Sequence, residues 1–124
     1  MNISEQDVRR AEGEIFEAIA AAGGISGIHV CGNSDWGVII RTGVQVLNFD
    51  AYQYGTTIAL YPEEVNALLD RGGAIAWGIV PTTTDEVRKE TPSTLARRFE
   101  TCLNALVDKG FPQDLLLELS LIHI

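Results

Sequence analysis

Residues 74–80 read Ala-Ile-Ala-Trp-Gly-Ile-Val, an apolar run that ends at Pro81. A strand that is apolar on both faces is typical of a parallel sheet, which is buried beneath helices. The segment before it, Pro62 to Arg71, carries a proline at its first position, glutamates in its first turn and a glycine after its end. These are helix boundary signals. The centre of the chain is therefore predicted to be a helix followed by a buried strand.

The same alternation continues on both sides of this unit. Alternating helices and strands with short connections predict βαβ units and a parallel sheet. Three strands are visible, and an open sheet of three strands leaves two unpaired edges, which suits part of a larger domain. Helices are expected at 5–22 after the N-cap Ser4, at 35–41 and from Thr91 to Gly110, and the other strands at 27–31 and 44–49.

Composition excludes several classes of protein. The 124 residues suit one domain, and nine Lys and Arg against seventeen Asp and Glu give a net charge of −8. This balance argues against nucleic-acid or anionic-membrane partners, because phosphate contacts need clustered cations. No apolar run reaches the roughly 18 residues of a membrane helix. The first residues lack the features of a secretory signal, so a reduced, cytoplasmic protein is expected.

His29 and Cys31 are the sharpest chemical feature. They lie two residues apart on a predicted strand, so both side chains point to one face. Imidazole and thiolate are both good Zn²⁺ ligands. The chain turns through Gly32 and Asn33, which puts the pair at a strand end, where barrel active sites lie. A single His-x-Cys is a weak signal by itself, and a buried structural pair is the alternative.

Asp50 follows the next predicted strand and would reach the same end of the sheet. Its carboxylate could supply a third zinc ligand, and the alternative is a helix N-cap. Pro81 and Thr82 to Thr84 follow the third strand, either as substrate-binding groups or as an ordinary loop. Tyr52 and Tyr54, which follow Asp50, either shape the pocket or pack against the core.

Other candidate residues are predicted to be structural. Cys102 shares the apolar face of the last predicted helix with Phe99 and Leu106, which predicts a core cysteine. Glu90 is assigned, with the acidic residues before it, to a solvated loop.

The last six residues, 119–124, read Leu-Ser-Leu-Ile-His-Ile. This hexapeptide matches the translation of a common sequencing-library adapter. We therefore expect a native part of 1–118 and a non-native tail of 119–124, in which His123 has no role. The alternative is that Leu119 to Ile122 begin a genuine fourth strand.

Three segments together resemble the cobalamin-independent methionine synthases, most closely the single-barrel relatives in the uroporphyrinogen-decarboxylase-like superfamily. They are His29-Val-Cys31-Gly-Asn, Val46-Leu-Asn-Phe-Asp50-Ala-Tyr and Gly73-Ala-Ile-Ala-Trp-Gly-Ile-Val-Pro81. The similarity runs from about residue 5 to residue 118. It implies an α/β fold that is a partial (β/α)8 TIM barrel, with about three βα units of the C-terminal half and parallel strands.

The resemblance also implies a cofactor and a reaction. The family binds one Zn²⁺ at the barrel mouth through His-x-Cys, a carboxylate and a later cysteine. His29 and Cys31 match the first two ligands, Asp50 stands where the family has glutamate, and Cys102 lies too early to be the fourth. The implied reaction is methyl transfer from a folate to a homocysteine-like thiol, in methionine biosynthesis. This length of chain holds only part of the barrel, so we expect no activity without the missing half as partner.

Three other functions remain open at the level of sequence. A corrinoid-dependent methyltransferase of the same superfamily uses a similar His-x-Cys-Gly motif. A uroporphyrinogen-decarboxylase-like enzyme would need no zinc. A non-catalytic half-barrel would act only as an interaction module. Zinc content separates the first proposal from a scaffold, because a scaffold has no reason to bind the metal.

Overall fold

The computed structural model describes residues 3–123 of the chain. Helices and strands alternate along it, as the sequence predicts. The elements are α1 (Glu5–Ala21), β1 (Gly27–Val30), α2 (Trp36–Arg41), β2 (Val46–Phe49), α3 (Ala51–Tyr54), a 3₁₀ helix (Gly55–Leu60), α4 (Pro62–Asp70), β3 (Ala74–Gly78), α5 (Thr84–Val87), α6 (Pro92–Val107), α7 (Gln113–Glu118) and β4 (Ser120–His123).

The sequence signals at helix starts are confirmed. Ser4 accepts a hydrogen bond from the Asp7 amide and the Asp7 carboxylate accepts one from the Ser4 amide, so α1 begins with a capping box. Thr91 caps α6 in the same reciprocal way, with Pro92 in the first turn. The short helices α3, α5 and α7 and the 3₁₀ helix are additions that the sequence analysis did not predict.

The four strands form one parallel sheet in the order β1-β2-β3-β4. Each strand lies beside its predecessor, and the sheet grows in one direction only. Because βαβ crossovers are right-handed in nearly all proteins, this order places the connecting helices on one face of the sheet. The predicted α/β class with parallel strands is confirmed.

Burial shows which face the helices cover. Leu47, Phe49, Ile75 and Trp77 alternate along β2 and β3 and are almost inaccessible to solvent. The residues between them point to the other face, where Asn48 is half-buried and its strand neighbour His29 is exposed. The hydrophobic core therefore lies between one face of the sheet and the helices.

A row of aromatic rings runs through this core. Trp36 and Phe49 have ring centroids 4.8 Å apart, Phe49 and Trp77 5.6 Å, and Trp77 and Phe99 5.7 Å. Such tilted and edge-on pairs are each worth about 0.5–1.5 kcal/mol beyond the burial of their area. The row connects α2, β2, β3 and α6 and fixes the helices against the strands.

The end of the chain differs from the preferred interpretation of the sequence. Ser120–His123 form β4 and pair in parallel with β3, and the indole Nε1 of Trp77 donates to Ser120 Oγ at 3.0 Å. The sheet thus has four strands where three were expected, because these residues follow α7 directly and complete another βα unit. The non-native origin of the tail stays a prediction, and residue 124 lies outside the described residues.

A helix that crosses a bilayer must be both long and apolar. Within residues 3–123, none of them is long and apolar enough to cross a membrane.

Candidate functional site

A cavity of about 300 Å³ opens at the carboxyl ends of β1, β2 and β3. In a parallel sheet these ends lie at one edge, so residues far apart in the chain meet there. His29, Cys31 and Asp50 all line this cavity. The three residues that the sequence predicts as zinc ligands thus line the same cavity.

His29 and Cys31 belong to one strand end. His29 lies within β1, and Cys31 is the first residue after it. Both side chains are exposed, and Cys31 is a free thiol. The spacing of two residues keeps both on the face of the sheet that the helices leave open. An accessible imidazole and an accessible thiol are therefore available to the same ligand.

The imidazole of His29 has a defined partner. Its Nδ1 lies 2.5 Å from Oδ1 of Asn48, the residue opposite it on β2. The Asn48 amide Nδ2 in turn donates to the carbonyl oxygen of Ala76 on β3, at 2.8 Å. This chain of hydrogen bonds crosses three strands and restrains the ring beside the cavity.

Asp50 has a structural role as well as a place in the cavity. It is the N-cap of α3, and its Oδ1 accepts a hydrogen bond from the amide of Gln53 at 3.0 Å. The N-cap alternative that the sequence left open is therefore observed. One carboxylate oxygen is engaged in this cap, and the ligand role of Asp50 stays a prediction.

The loop after β3 forms the opposite wall of the cavity. Pro81, Thr82 and Thr83 line it, and Thr83 Oγ1 donates to the Glu86 carboxylate at 2.6 Å, with Glu86 itself on the wall. Gly78 lets this wall approach β2, because a Cβ there would lie 2.6 Å from the carbonyl oxygen of Phe49. With Asp50 and Glu86 on its walls, the cavity favours a cationic ligand.

Tyr52 connects the cavity to a buried carboxylate that the sequence analysis misjudged. Tyr52 lines the cavity, and its hydroxyl donates to Glu90 at 2.8 Å. Arg98 donates to the same carboxylate oxygen and stacks on the Tyr52 ring, 4.2 Å from its centroid. Glu90 lies in a loop as predicted, but its side chain is only 7% exposed, so the predicted solvation was wrong. Tyr52 and Glu90 lie too far apart in the chain for any local pattern to join them.

Cys102 lies away from the cavity wall formed by His29 and Cys31. It is buried in the hydrophobic core, where its sulfur faces the 3₁₀ helix at Gly55. Burial raises the pKa of its thiol to about 11, which disfavours the thiolate that binds metals. The predicted core role of Cys102 is confirmed.

The donor set fits zinc in part. One imidazole and one thiol lie on the same wall, and a carboxylate is nearby, which is the chemistry of many zinc sites. Within residues 3–123, however, no three His, Cys, Asp or Glu side chains are grouped closely enough to hold a metal ion. The residues present therefore fit a pair of zinc ligands and do not form a complete site.

No protein-family model, curated protein or solved structure matches this chain.

Proposed function

We propose that the chain is part of a zinc-dependent methyltransferase that activates a homocysteine-like thiol for methyl transfer from a folate. One observation carries the proposal: His29, Cys31 and Asp50 line a single cavity at the carboxyl ends of adjacent parallel strands. Active sites of (β/α)8 barrels lie at this end of the strands. The imidazole, thiol and carboxylate of these three residues are groups that commonly bind zinc in proteins.

The sheet supports a partial barrel as the architecture. Its strand order runs in one direction, its core lies on one face, and the other face carries His29 and Asn48. A barrel wall has this organisation, with helices outside and functional side chains inside. Further strands joined to β1 and β4 would close the cylinder, so we propose the missing half of the barrel as the partner.

The residues of the cavity have separable roles in this proposal. His29 and Cys31 would hold the metal, and Asp50 would offer its second carboxylate oxygen. A bound zinc ion would supply an electrophilic centre that lowers the pKa of a substrate thiol from its free value of about 8.5. Thr82 would provide a hydroxyl group to orient a polar part of a substrate, and the Tyr52 oxygen, whose proton is donated to Glu90, could accept a hydrogen bond from one. A cytoplasmic location belongs to the same proposal, since Cys31 binds metal only when reduced.

Cobalt binding by the 124-residue protein tests the metal site directly. Co²⁺ replaces Zn²⁺ at thiolate sites and gives a thiolate-to-metal charge-transfer band in the near ultraviolet. We expect one such band in the unaltered protein, its loss in Cys31→Ala and its retention in Cys102→Ala, the matched control. Homocysteine added to the cobalt-loaded protein should strengthen the band, whereas methionine should not, because only the former has a thiol.

Two results would refute the proposal at different points. Equal retention of the band in both cysteine variants would remove the metal assignment. If the protein binds Co²⁺ but homocysteine does not change the band, the protein binds metal without activating a thiol, and the methyltransferase assignment is refuted. Turnover is not expected from this chain alone, because the proposed folate site belongs to the missing half of the barrel.

A further inference from the structure

Asn48 occupies a position that joins the candidate ligand His29 to the middle of the sheet. His29 and Asn48 are register partners between β1 and β2, and Asn48 and Ala76 are partners between β2 and β3. Partners in a parallel sheet point to the same face, so the Asn48 side chain lies beside the imidazole. Its half-buried amide contacts a neighbour on either side.

The chemistry of these contacts defines the orientation of the Asn48 amide. A backbone carbonyl oxygen accepts hydrogen bonds and cannot donate them, so the group that faces Ala76 must be the NH₂ of Asn48. Turning the amide over would place its oxygen against the Ala76 oxygen, with repulsion in place of a hydrogen bond. The Asn48 oxygen Oδ1 therefore faces Nδ1 of His29, at 2.5 Å.

This orientation decides which nitrogen of His29 carries the proton. An amide oxygen is an acceptor only, so a hydrogen bond between Oδ1 and Nδ1 requires the proton on Nδ1. In the neutral ring Nε2 then has the free lone pair. Free histidine in water prefers the opposite tautomer, with the proton on Nε2. The contact with Asn48 therefore reverses the intrinsic preference of the ring.

We propose that Asn48 is a positioning residue that holds His29 in the Nδ1–H tautomer and so makes Nε2 the metal-binding nitrogen. The inference rests on the proposed function, in which His29 is a zinc ligand. In metal sites the second ring nitrogen of a ligating histidine usually donates to a carbonyl or carboxylate, which fixes both tautomer and ring orientation. Here the acceptor is a side-chain amide fixed by the backbone of β3.

The first experiment reads the tautomer in the metal-free protein. Nitrogen-15 NMR at about pH 8.5, where histidine is ordinarily neutral, distinguishes a protonated Nδ1 from a protonated Nε2. We expect Nδ1–H for His29 in the unaltered protein and a shift towards Nε2–H in Asn48→Leu, which has a similar shape and no acceptor. Asn48→Asp keeps an oxygen opposite Nδ1 and should keep the Nδ1–H tautomer. The tautomer of His29 in the unaltered protein, which needs no variant, keeps the inference testable if Asn48→Leu does not fold.

The second experiment measures Co²⁺ affinity in the same variants. Loss of an outer-shell partner typically weakens metal binding about 10–100-fold, and this is the effect expected for Asn48→Leu. Asn66→Ala is the matched control, because Asn66 is an exposed asparagine on α4. It should bind Co²⁺ with unchanged affinity, and Asn48→Asp should bind better than Asn48→Leu.

The outcomes separate this inference from the proposed function. If the protein binds Co²⁺ but His29 carries its proton on Nε2, or Asn48→Leu binds equally well, the role of Asn48 is refuted and the metal site stands. If the tautomer changes as expected but no variant binds Co²⁺, the proposed function is refuted, and a metal-directed role of Asn48 with it.

Discussion

Cys31 and Cys102 show how strongly the environment of a single residue type can differ in one small protein. Cys31 is exposed at the end of β1, whereas Cys102 is buried in the core, with its sulfur 4.0 Å from the carbonyl oxygen of Ala51. Thiol reagents react with the thiolate form and must be able to reach it. Burial of Cys102 both disfavours its thiolate and blocks access to its sulfur.

Thiol reactivity is therefore expected to distinguish the two residues. At neutral pH an aromatic disulfide reagent should modify one thiol of the folded protein rapidly and the second only after denaturation. The Cys31→Ala variant should lose the rapid phase, and Cys102→Ala should retain it. Absorbance of the released thiolate measures both phases, and equal rates for the two thiols would contradict the structure.

Ionisation of Glu90 is expected to stabilise the fold. Its carboxylate accepts hydrogen bonds from Thr94, Tyr52 and Arg98, in that order of effect, and these lower its pKa from 4.5 to about 2. A carboxyl group whose pKa is lower in the folded than in the unfolded state stabilises the fold above its unfolded pKa. That stabilisation is lost as the pH falls through the folded pKa.

The Glu90→Gln variant should therefore be less stable than the unaltered protein at neutral pH. The difference in the free energy of unfolding between the two proteins should shrink as the pH falls from about 4.5 to about 2. It should vanish at lower pH, where both side chains are neutral. Urea unfolding at several pH values measures it. Glu100→Gln, an exposed position on α6, the helix that begins just after Glu90, is the control and should show little difference. A difference for Glu90→Gln that does not depend on pH would exclude the ionised carboxylate as its source.

The roles of individual residues could be predicted only where their partners are near in sequence. The placement of His29 and Cys31 on one cavity follows from their spacing of two at the end of a strand. Asn48 and Glu90 act through partners on other elements, 19 and 38 residues away. Such contacts depend on strand register and loop path, which no local pattern contains.

At the scale of elements, α6 packs on the 3₁₀ helix through a glycine. A Cβ added at Gly55 would lie 2.2 Å from the sulfur of Cys102, and 3.5 Å from its Cβ. The distance to the sulfur is much shorter than a van der Waals contact, whereas the distance to the Cβ of Cys102 is a normal one. The close packing of these two elements therefore requires a glycine opposite that sulfur.

Gly55→Ala should destabilise the protein by about 1–3 kcal/mol, as overpacked core substitutions do. The double variant Gly55→Ala, Cys102→Ala should be more stable than Gly55→Ala alone, because removing the sulfur makes room for the new methyl group. Urea unfolding of the two single variants and the double variant gives this coupling. Strictly additive effects would show that the sulfur and the methyl group do not meet.

The helices and strands that were predicted correctly are those with strong local sequence signals. Proline, capping residues and terminal glycines mark α1, α4 and α6, and the apolar run marks β3. Residues 51–60 lack any regular period, and their short helices depend on tertiary contacts, such as the hydrogen bond from Trp36 Nε1 to Thr57 Oγ1 at 2.8 Å. The secondary structure of such a segment is set by tertiary contacts, so its local sequence does not predict it.

At the scale of the whole molecule, the sequence sufficed for the α/β class and the parallel sheet. Alternation alone requires βαβ units, and their handedness then places the helices. It did not suffice for the number of strands, because Ser120–His123 are a short run whose strand character comes from pairing with β3. The open face and the two sheet edges are properties of the assembled sheet, and they support the proposed barrel.

The sequential strand order also bears on how the chain acquires its structure during synthesis. Within residues 3–123, each strand after β1 pairs with the one translated just before it, so β2, β3 and β4 need not wait for a distant partner to leave the ribosome. Topologies built from neighbouring segments pay less loop-closure entropy and fold faster than those that join the ends of a chain. The nascent polypeptide can thus add one strand-and-helix unit at a time to a growing edge.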